Sequence, residues 1–192
     1  MTYVFAALAG LAFGMADQYL GSRPTVGAWA ATVSMMAAPW FVVPFMAGIT
    51  QDGARRAMAS GLVVTVAALV GYFAMTCSPI ENVALQRFPT CFVTIVRAPY
   101  NPLWIAGGVV IAPLYGFLGQ RWRAARSWIS AALVVGALWL EPPARFVAGM
   151  LAPPRLVWWT EIAVGTVVAA SFAFVIATAA RAREASVVAD ES

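Results

Sequence analysis

The sequence contains neither lysine nor histidine, so every one of its 12 basic residues is an arginine. The absence of histidine excludes imidazole acid–base catalysis and imidazole metal ligands, and the absence of lysine excludes Schiff-base chemistry. Charged residues make up only 10% of the 192 residues, whereas 62% are hydrophobic. A chain with so little charge cannot cover a soluble surface, which indicates an integral membrane protein.

The arginines account for a net charge of +4 and stand mainly in short polar connections. Lipid headgroups are sufficient partners for such charges, and no basic patch typical of nucleic-acid-binding proteins is present. We therefore expect the lipid bilayer as a partner and no nucleic acid. The expected location is the cell (plasma) membrane, crossed several times.

Long apolar segments predict an all-α fold, a polytopic membrane helical bundle. We expect one transmembrane domain over residues 1–184, followed by a frayed tail over 185–192. A further apolar run over 91–97 is too short to span a bilayer and is predicted to be re-entrant or interfacial. The expected membrane-spanning helices number about six and cover residues 3–20, 25–50, 57–77, 102–119, 127–140 and 155–180.

Prolines punctuate several of these segments. Pro39 and Pro44 remove backbone donors inside the second segment and predict a kink or an unwound turn there. The run Glu141-Pro142-Pro143 is expected to end the fifth helix. Residues 120–126 are expected to form a basic turn after the fourth helix.

Arginine clusters at 55–56, 121–126 and 181–183 fall on one side of the predicted topology. The positive-inside rule places that side in the cytoplasm. Both termini are then cytoplasmic.

Two carboxylates, Asp17 and Glu161, lie within predicted membrane-spanning segments. Such a charge costs about 2.5 to 3.5 kcal/mol at mid-bilayer on insertion scales, which suggests a functional role for both. The alternatives are structural. Asp17 could make an interhelical hydrogen bond that fixes packing, and Glu161 could pair with Arg155 or Arg23.

Aromatic residues concentrate toward the same predicted outer half of the bundle. Some of them belong to the interfacial belt that Trp and Tyr form at headgroup depth, and others could serve ordinary packing. As residues that line a substrate pocket we select Tyr19, Trp40, Tyr72, Phe73, Tyr100, Trp104 and Trp158.

Cys77 and Cys91 flank a polar loop on the predicted outer side. Two cysteines that close a loop in an oxidising compartment predict a disulfide, worth roughly 3 kcal/mol in the loop-entropy model. Their spacing matches neither a redox nor a zinc motif. We expect no metal and no cofactor.

Buried carboxyls among aromatic rings suit the chemistry of isoprenoid cations. A carboxyl group removed from water keeps its proton and can donate it to an alkene. Aromatic faces then stabilise the carbocation by about 0.5 to 2 kcal/mol each. Glu161 or a bound water could remove the final proton.

The stretch Gly14-Met15-Ala16-Asp17-Gln18-Tyr19-Leu20 and the Ala38-Pro39-Trp40 break resemble those of a family of small actinobacterial multi-pass membrane proteins. More loosely, the layout is similar to the bacterial membrane terpene cyclases of drimentine-type pathways, which cyclise a farnesyl chain attached to an indole diketopiperazine. The resemblance implies proton-initiated cyclisation of a prenylated small molecule, with Asp17 as the acid.

Two other classes of function stay open. A transporter or substrate-binding subunit would also use broken helices and an intramembrane carboxylate. A non-enzymatic assembly subunit would need only glycine-rich helix faces, such as Gly10 with Gly14 or Gly107 with Gly108. Homo-oligomer formation is left open as well.

Overall fold

The computed structural model describes residues 2–23, 27–34, 36–81, 87–147 and 155–190, and the side chains in these ranges except those of 28, 32, 142, 145 and 182–190. This part of the chain forms α-helices and contains no strand, which confirms the all-α fold class. The helices are α1 (Tyr3–Ser22), α2 (Ala28–Ser34), α3 (Ala38–Ile49), α4 (Ala54–Thr76), α5 (Phe88–Val96), α6 (Asn101–Ala125), α7 (Trp128–Val147) and α8 (Arg155–Asp190).

Four helices in the described part of the chain are long and apolar enough to cross a membrane. Since a bilayer core about 30 Å thick needs about 20 helical residues, these helices support the assignment to the membrane. The two other predicted spans correspond to shorter apolar stretches, namely α3 (Ala38–Ile49) and the part Trp128–Glu141 of α7. The four candidate spans are α1 (Tyr3–Ser22), α4 (Ala54–Thr76), α6 (Asn101–Ala125) and the part Arg155–Arg181 of α8.

The second apolar segment is interrupted, as its prolines predict. Helix α2 ends at Ser34 and α3 begins at Ala38. Pro39 lies in the first turn of α3, where the backbone N–H that proline lacks would have no helical partner in any case. Pro44 lies inside α3 without ending it.

Two predicted helix ends are wrong. Helix α6 continues to Ala125, through most of the expected basic turn at 120–126, and α7 continues to Val147, past Glu141-Pro142-Pro143. A proline removes one hydrogen bond, but its fixed φ is compatible with a helix, so a helix in an apolar setting can pass through it. Helix α8 reaches Asp190, within the stretch 185–192 for which the sequence predicts a tail.

The chain divides into two compact units, Met1–Gln120 and Arg121–Ser192. In the first unit, α4 packs against α1 and α3. Its buried core includes Ala6, Ala47 and Val64, from α1, α3 and α4 respectively. In the second unit, α7 packs against α8, and the Trp122 ring lies 4.4 Å from that of Phe172.

Glycines bring the backbones of α1 and α4 into direct contact. A Cβ atom added at Gly10 would collide with the Val64 carbonyl, and one at Gly14 with the Ala68 carbonyl. From the other side, Gly71 of α4 meets the backbone of Leu11. Position 10 of α1 meets position 64 of α4, and position 14, one turn later, meets position 68, also one turn later; position 11 meets 71. The two helices therefore run parallel and end together.

A disulfide and two side-chain hydrogen bonds hold the residues that follow α4. The disulfide between Cys77 and Cys91, with Cα atoms 5.8 Å apart, joins the end of α4 to α5. Glu81 accepts hydrogen bonds from Gln18 and Ser22 of α1. The C-terminal ends of α1 and α4 are thereby held together with α5.

The α1–α4 contact yields a stability prediction. Gly14→Ala places a methyl group against the Ala68 carbonyl, and overpacking of this kind costs about 1 to 3 kcal/mol or more. We expect a clear loss of thermal stability in detergent. Gly107→Ala in α6 is the matched control, because its added Cβ meets nothing within 4 Å. Equal stability of the two variants would contradict the packing.

The disulfide yields a second prediction. Both cysteines are consumed in it, so alkylation of unreduced, denatured protein should label no thiol in mass spectrometry. Reduction should expose two thiols and lower the unfolding free energy by roughly 3 kcal/mol. Two alkylated cysteines without a reductant would show that the bridge is absent.

Candidate functional site

Asp17 is buried in the last two turns of α1 and is only 6% exposed. The indole Nε1–H of Trp40 donates a hydrogen bond to its Oδ2 over 3.3 Å. Trp40 is the third residue of α3, directly after the interruption that separates α2 from α3. A new helix therefore begins after the break, and its first turn places the Trp40 N–H donor against the Asp17 carboxyl group.

Two further rings surround the indole that binds Asp17. The Phe13 ring meets Trp40 edge-on with centroids 5.3 Å apart, and the Tyr72 ring does so at 6.1 Å. Phe13 precedes Asp17 by four residues and so shares its face of α1. Helices α1, α3 and α4 thus each contribute one ring to a cluster, and its Trp40 ring binds the Asp17 carboxyl.

The aromatic contacts continue from Tyr72 to α5. Tyr72 meets Phe73 at 5.6 Å, Phe73 meets Phe92 at 6.1 Å, and Phe92 meets Phe88 at 5.9 Å. The first two contacts are edge-to-face, the geometry that aromatic quadrupoles favour. The disulfide at Cys91 fixes α5 next to this row.

A polar cluster closes the C-terminal end of α1. One carboxylate oxygen of Glu81 accepts from Gln18 Nε2 at 2.8 Å, and the other accepts from Ser22 Oγ at 2.7 Å. Arg23 Nη2 donates to the Ile80 carbonyl at 3.4 Å. Gln18 and Ser22 belong to the last two turns of α1, so this second carboxylate is held at the same end of that helix as Asp17.

Three of the selected pocket residues lie outside this row of aromatic contacts. Tyr100 is 76% and Trp104 58% exposed, as expected for rings that face lipid or headgroups. Tyr19 is also exposed and lies beneath the Arg23 guanidinium, 5.2 Å from the ring centroid. From that list, the structure places Trp40 against Asp17, Tyr72 against Trp40 and Phe73 against Tyr72.

Glu161 and Trp158 belong to the second compact unit. Glu161 is 1% exposed and has interactions of its own, and Trp158 meets Phe146 edge-on at 6.4 Å. The residues that contact Asp17 and its neighbours all belong to the first unit. The predicted roles of Glu161 and Trp158 stay predictions.

Sequence reasoning missed three members of the site. Phe13 could have been found, because its spacing of four residues from Asp17 on a helix was visible. Phe92 and Glu81 could not have been found, because tertiary contacts set the positions of the short helix α5 and of the residues after α4.

One of the glycine faces considered for an assembly subunit is used within the chain. Gly10 and Gly14 both contact α4, so that face is not available to a partner. Gly107 lies in open space. Among the described residues there is no group of three or more His, Cys, Asp or Glu side chains that could hold a metal ion.

Comparison of the chain with models of protein families, with curated proteins and with solved structures yields no match. The chemistry of the site must therefore be argued from its own residues.

The Trp40–Asp17 hydrogen bond can be tested by stability. Trp40→Phe keeps a ring next to Phe13 and Tyr72 but removes the donor, and loss of a partner to a buried acceptor costs about 1 to 3 kcal/mol. We expect a lower melting temperature in detergent. Trp104→Phe makes the same change at an exposed position and should leave the melting temperature unchanged. A stable Trp40→Phe protein would show that the bond contributes little.

Proposed function

We propose that the chain is a membrane-bound terpene cyclase that starts the cyclisation of a prenyl chain, such as farnesyl on a small-molecule acceptor, by protonating an alkene. One observation carries the proposal: the Asp17 carboxyl is buried and accepts the indole N–H of Trp40, whose ring packs against rings from two neighbouring helices. An acid and a wall of π-systems in one place match what a carbocation reaction needs.

In the proposed step the protonated Asp17 carboxyl gives its proton to the CH carbon of the last alkene in the prenyl chain. The π-electrons of that alkene form the new C–H bond and leave a tertiary cation on the neighbouring carbon. The next alkene attacks this cation, so a C–C bond forms and the positive charge moves along the chain. Loss of a proton from the last cation gives an alkene, and the product has the mass of the substrate.

The protein supplies three things to this sequence. Trp40 orients the carboxyl group and stabilises the carboxylate left behind, since hydrogen bonds to charged groups are about twice as strong as neutral ones. The faces of Phe13, Trp40 and Tyr72 attract positive charge. Burial keeps out water that would quench the cation.

The proposed cellular location follows from the apolar composition of the chain. The substrate enters from the bilayer of the plasma membrane, which suits an apolar prenyl chain. We propose six spans with both termini in the cytoplasm. The chemistry is a redox-neutral isomerisation, and every step above uses protons and π-electrons alone.

The test uses a farnesylated indole as the probe, with purified protein in detergent. The wild-type protein in D₂O should form a cyclic isomer that carries one carbon-bound deuterium from solvent, because Asp17 exchanges its proton with water between turnovers. Asp17→Asn should lower turnover by about 10²-fold or more, the usual contribution of a general acid, while the protein stays folded.

Asp52→Asn is the matched control, because Asp52 is exposed in the connection between α3 and α4. It should cyclise the probe at the wild-type rate. Full activity of Asp17→Asn, or no cyclic product from the wild-type protein, would contradict the proposed function.

Transport is a second candidate, favoured by the break between α2 and α3 directly beside Asp17. Broken helices next to an intramembrane carboxylate are typical of proton-coupled and cation-coupled transporters. Uptake of a lipophilic cation into proteoliposomes that Asp17→Asn abolishes, without any cyclised product, would favour this candidate.

A further inference from the structure

Helices α7 and α8 of the second unit pack antiparallel in a fixed register. A Cβ atom added at Gly165 of α8 would lie 3.2 Å from the Leu138 Cβ of α7. Further along α7, the Phe146 ring meets the ring of Trp158, which lies earlier in α8. Because equal numbers of residues cover equal lengths of helix, the residues directly before α7 lie level with the last two turns of the α8 span, which ends at Arg181.

This register separates the charges of the second unit. Glu141 and Glu161, the acidic side chains that the structure describes in this unit, are buried toward the end where α7 stops and α8 begins. Arg126 directly precedes this helix pair at the opposite end, and Arg181 lies at that end of the α8 span. One end of the pair therefore carries the described carboxyl groups and the other carries guanidinium groups.

The last residues of α6 bring two more arginines to this end. Both are exposed and have interactions of their own within the chain. Arg126 and Arg181 are exposed as well, and neither is ion-paired among the side chains that the structure describes. We refer to the four residues as the arginine group: Arg121, Arg123, Arg126 and Arg181.

Trp122 holds Arg126 in place. The Arg126 backbone N–H donates to the Trp122 carbonyl over 2.9 Å, and the φ of 48° at Arg126 lies in the left-handed region that favours glycine. Its guanidinium lies over the Trp122 indole, 5.6 Å from the ring centroid. Trp122 is itself buried against Phe172 of α8. A guanidinium stacked on a fixed ring keeps its N–H donors in its own plane, where they can bind an acceptor.

The ends of the apolar helices place the arginine group at the surface of the bilayer. The candidate span of α6 ends at Ala125 and that of α8 at Arg181. Trp128, two residues after Arg126, is exposed, and tryptophan is enriched at the depth of the lipid headgroups. Phosphate groups lie at that depth, and a guanidinium binds phosphate through two parallel hydrogen bonds.

We propose that the arginine group binds the phosphate of an anionic phospholipid, such as phosphatidylglycerol, in preference to a zwitterionic lipid. Arg126 and Arg181 donate to the phosphate oxygens, and the two arginines of α6 add positive charge around them. The selectivity is electrostatic. Phosphatidylcholine carries an ammonium group that the arginines repel, whereas phosphatidylglycerol carries no positive charge. The binding involves no covalent step and does not depend on the proposed cyclisation.

The experiment is native mass spectrometry of the full-length protein in detergent, with phosphatidylglycerol and phosphatidylcholine of the same acyl chains added in equal amounts. The wild-type protein should retain phosphatidylglycerol in preference, and the preference should fall as ionic strength rises. Arg126→Gln and Arg181→Gln should each weaken phosphatidylglycerol binding about fivefold. Arg126→Lys keeps the charge but loses the forked donor, so its affinity should fall between those of the wild type and Arg126→Gln.

Arg155→Gln is the matched control. Arg155 is the exposed first residue of α8, at the opposite end of the same helix, so this change removes one positive charge without altering the arginine group. It should keep the wild-type preference. Melting temperatures in phosphatidylcholine should stay near the wild-type value for every variant, because the replaced side chains are exposed.

The inference is wrong if the wild-type protein retains both lipids equally, or if Arg155→Gln weakens phosphatidylglycerol binding as much as Arg126→Gln and Arg181→Gln do. Inorganic phosphate forms a third arm. If it binds without lipid and displaces phosphatidylglycerol, the arginine group is a site for a free anion and the lipid proposal fails. Should Arg126→Gln unfold, Arg181→Gln decides. Absence of a cyclic product from the farnesylated indole would contradict the proposed function and leave the lipid site standing.

Discussion

The direct contact between the backbones of α1 and α4 is the constraint on which the first unit depends. Gly10, Gly14 and Gly71 remove the side chains that would separate the two helices. In lipid, where apolar side chains gain nothing by leaving the solvent, such close approach is a main source of helix association. Because the helices run parallel, their C-terminal ends lie together, and Gly14, one turn before Asp17, meets the backbone of Tyr72.

Burial of Asp17 follows from this contact and from the break before α3. An isolated carboxylate inside a membrane is costly, and the Trp40 N–H offsets part of that cost by giving it a partner. The same groups that stabilise the carboxyl group define what it can do. In the proposed cyclisation, the buried carboxyl group beside the Trp40 indole would act as a proton donor shielded from water.

Much of this arrangement could be predicted from the sequence, and some could not. The membrane class, the interrupted second segment, the disulfide loop and the prominence of Asp17 depend on local composition and spacing. The continuation of α7 past Glu141-Pro142-Pro143 could not be predicted from local sequence, because a helix tolerates proline when the rest of its surroundings favour it. The exposure of Tyr100 and Trp104, and the placement of Glu81 against α1, depend on which helix faces meet.

The central claim is that the Asp17 carboxyl is protonated and shielded from water inside the bilayer, and carbodiimide labelling tests it most directly. Carbodiimides react with protonated carboxyl groups, and lipophilic and water-soluble reagents differ in the compartment they reach. Mass spectrometry of the peptide that contains Asp17 should show modification by the lipophilic reagent and protection from the water-soluble one. Modification by the water-soluble reagent, or by neither, would contradict the account.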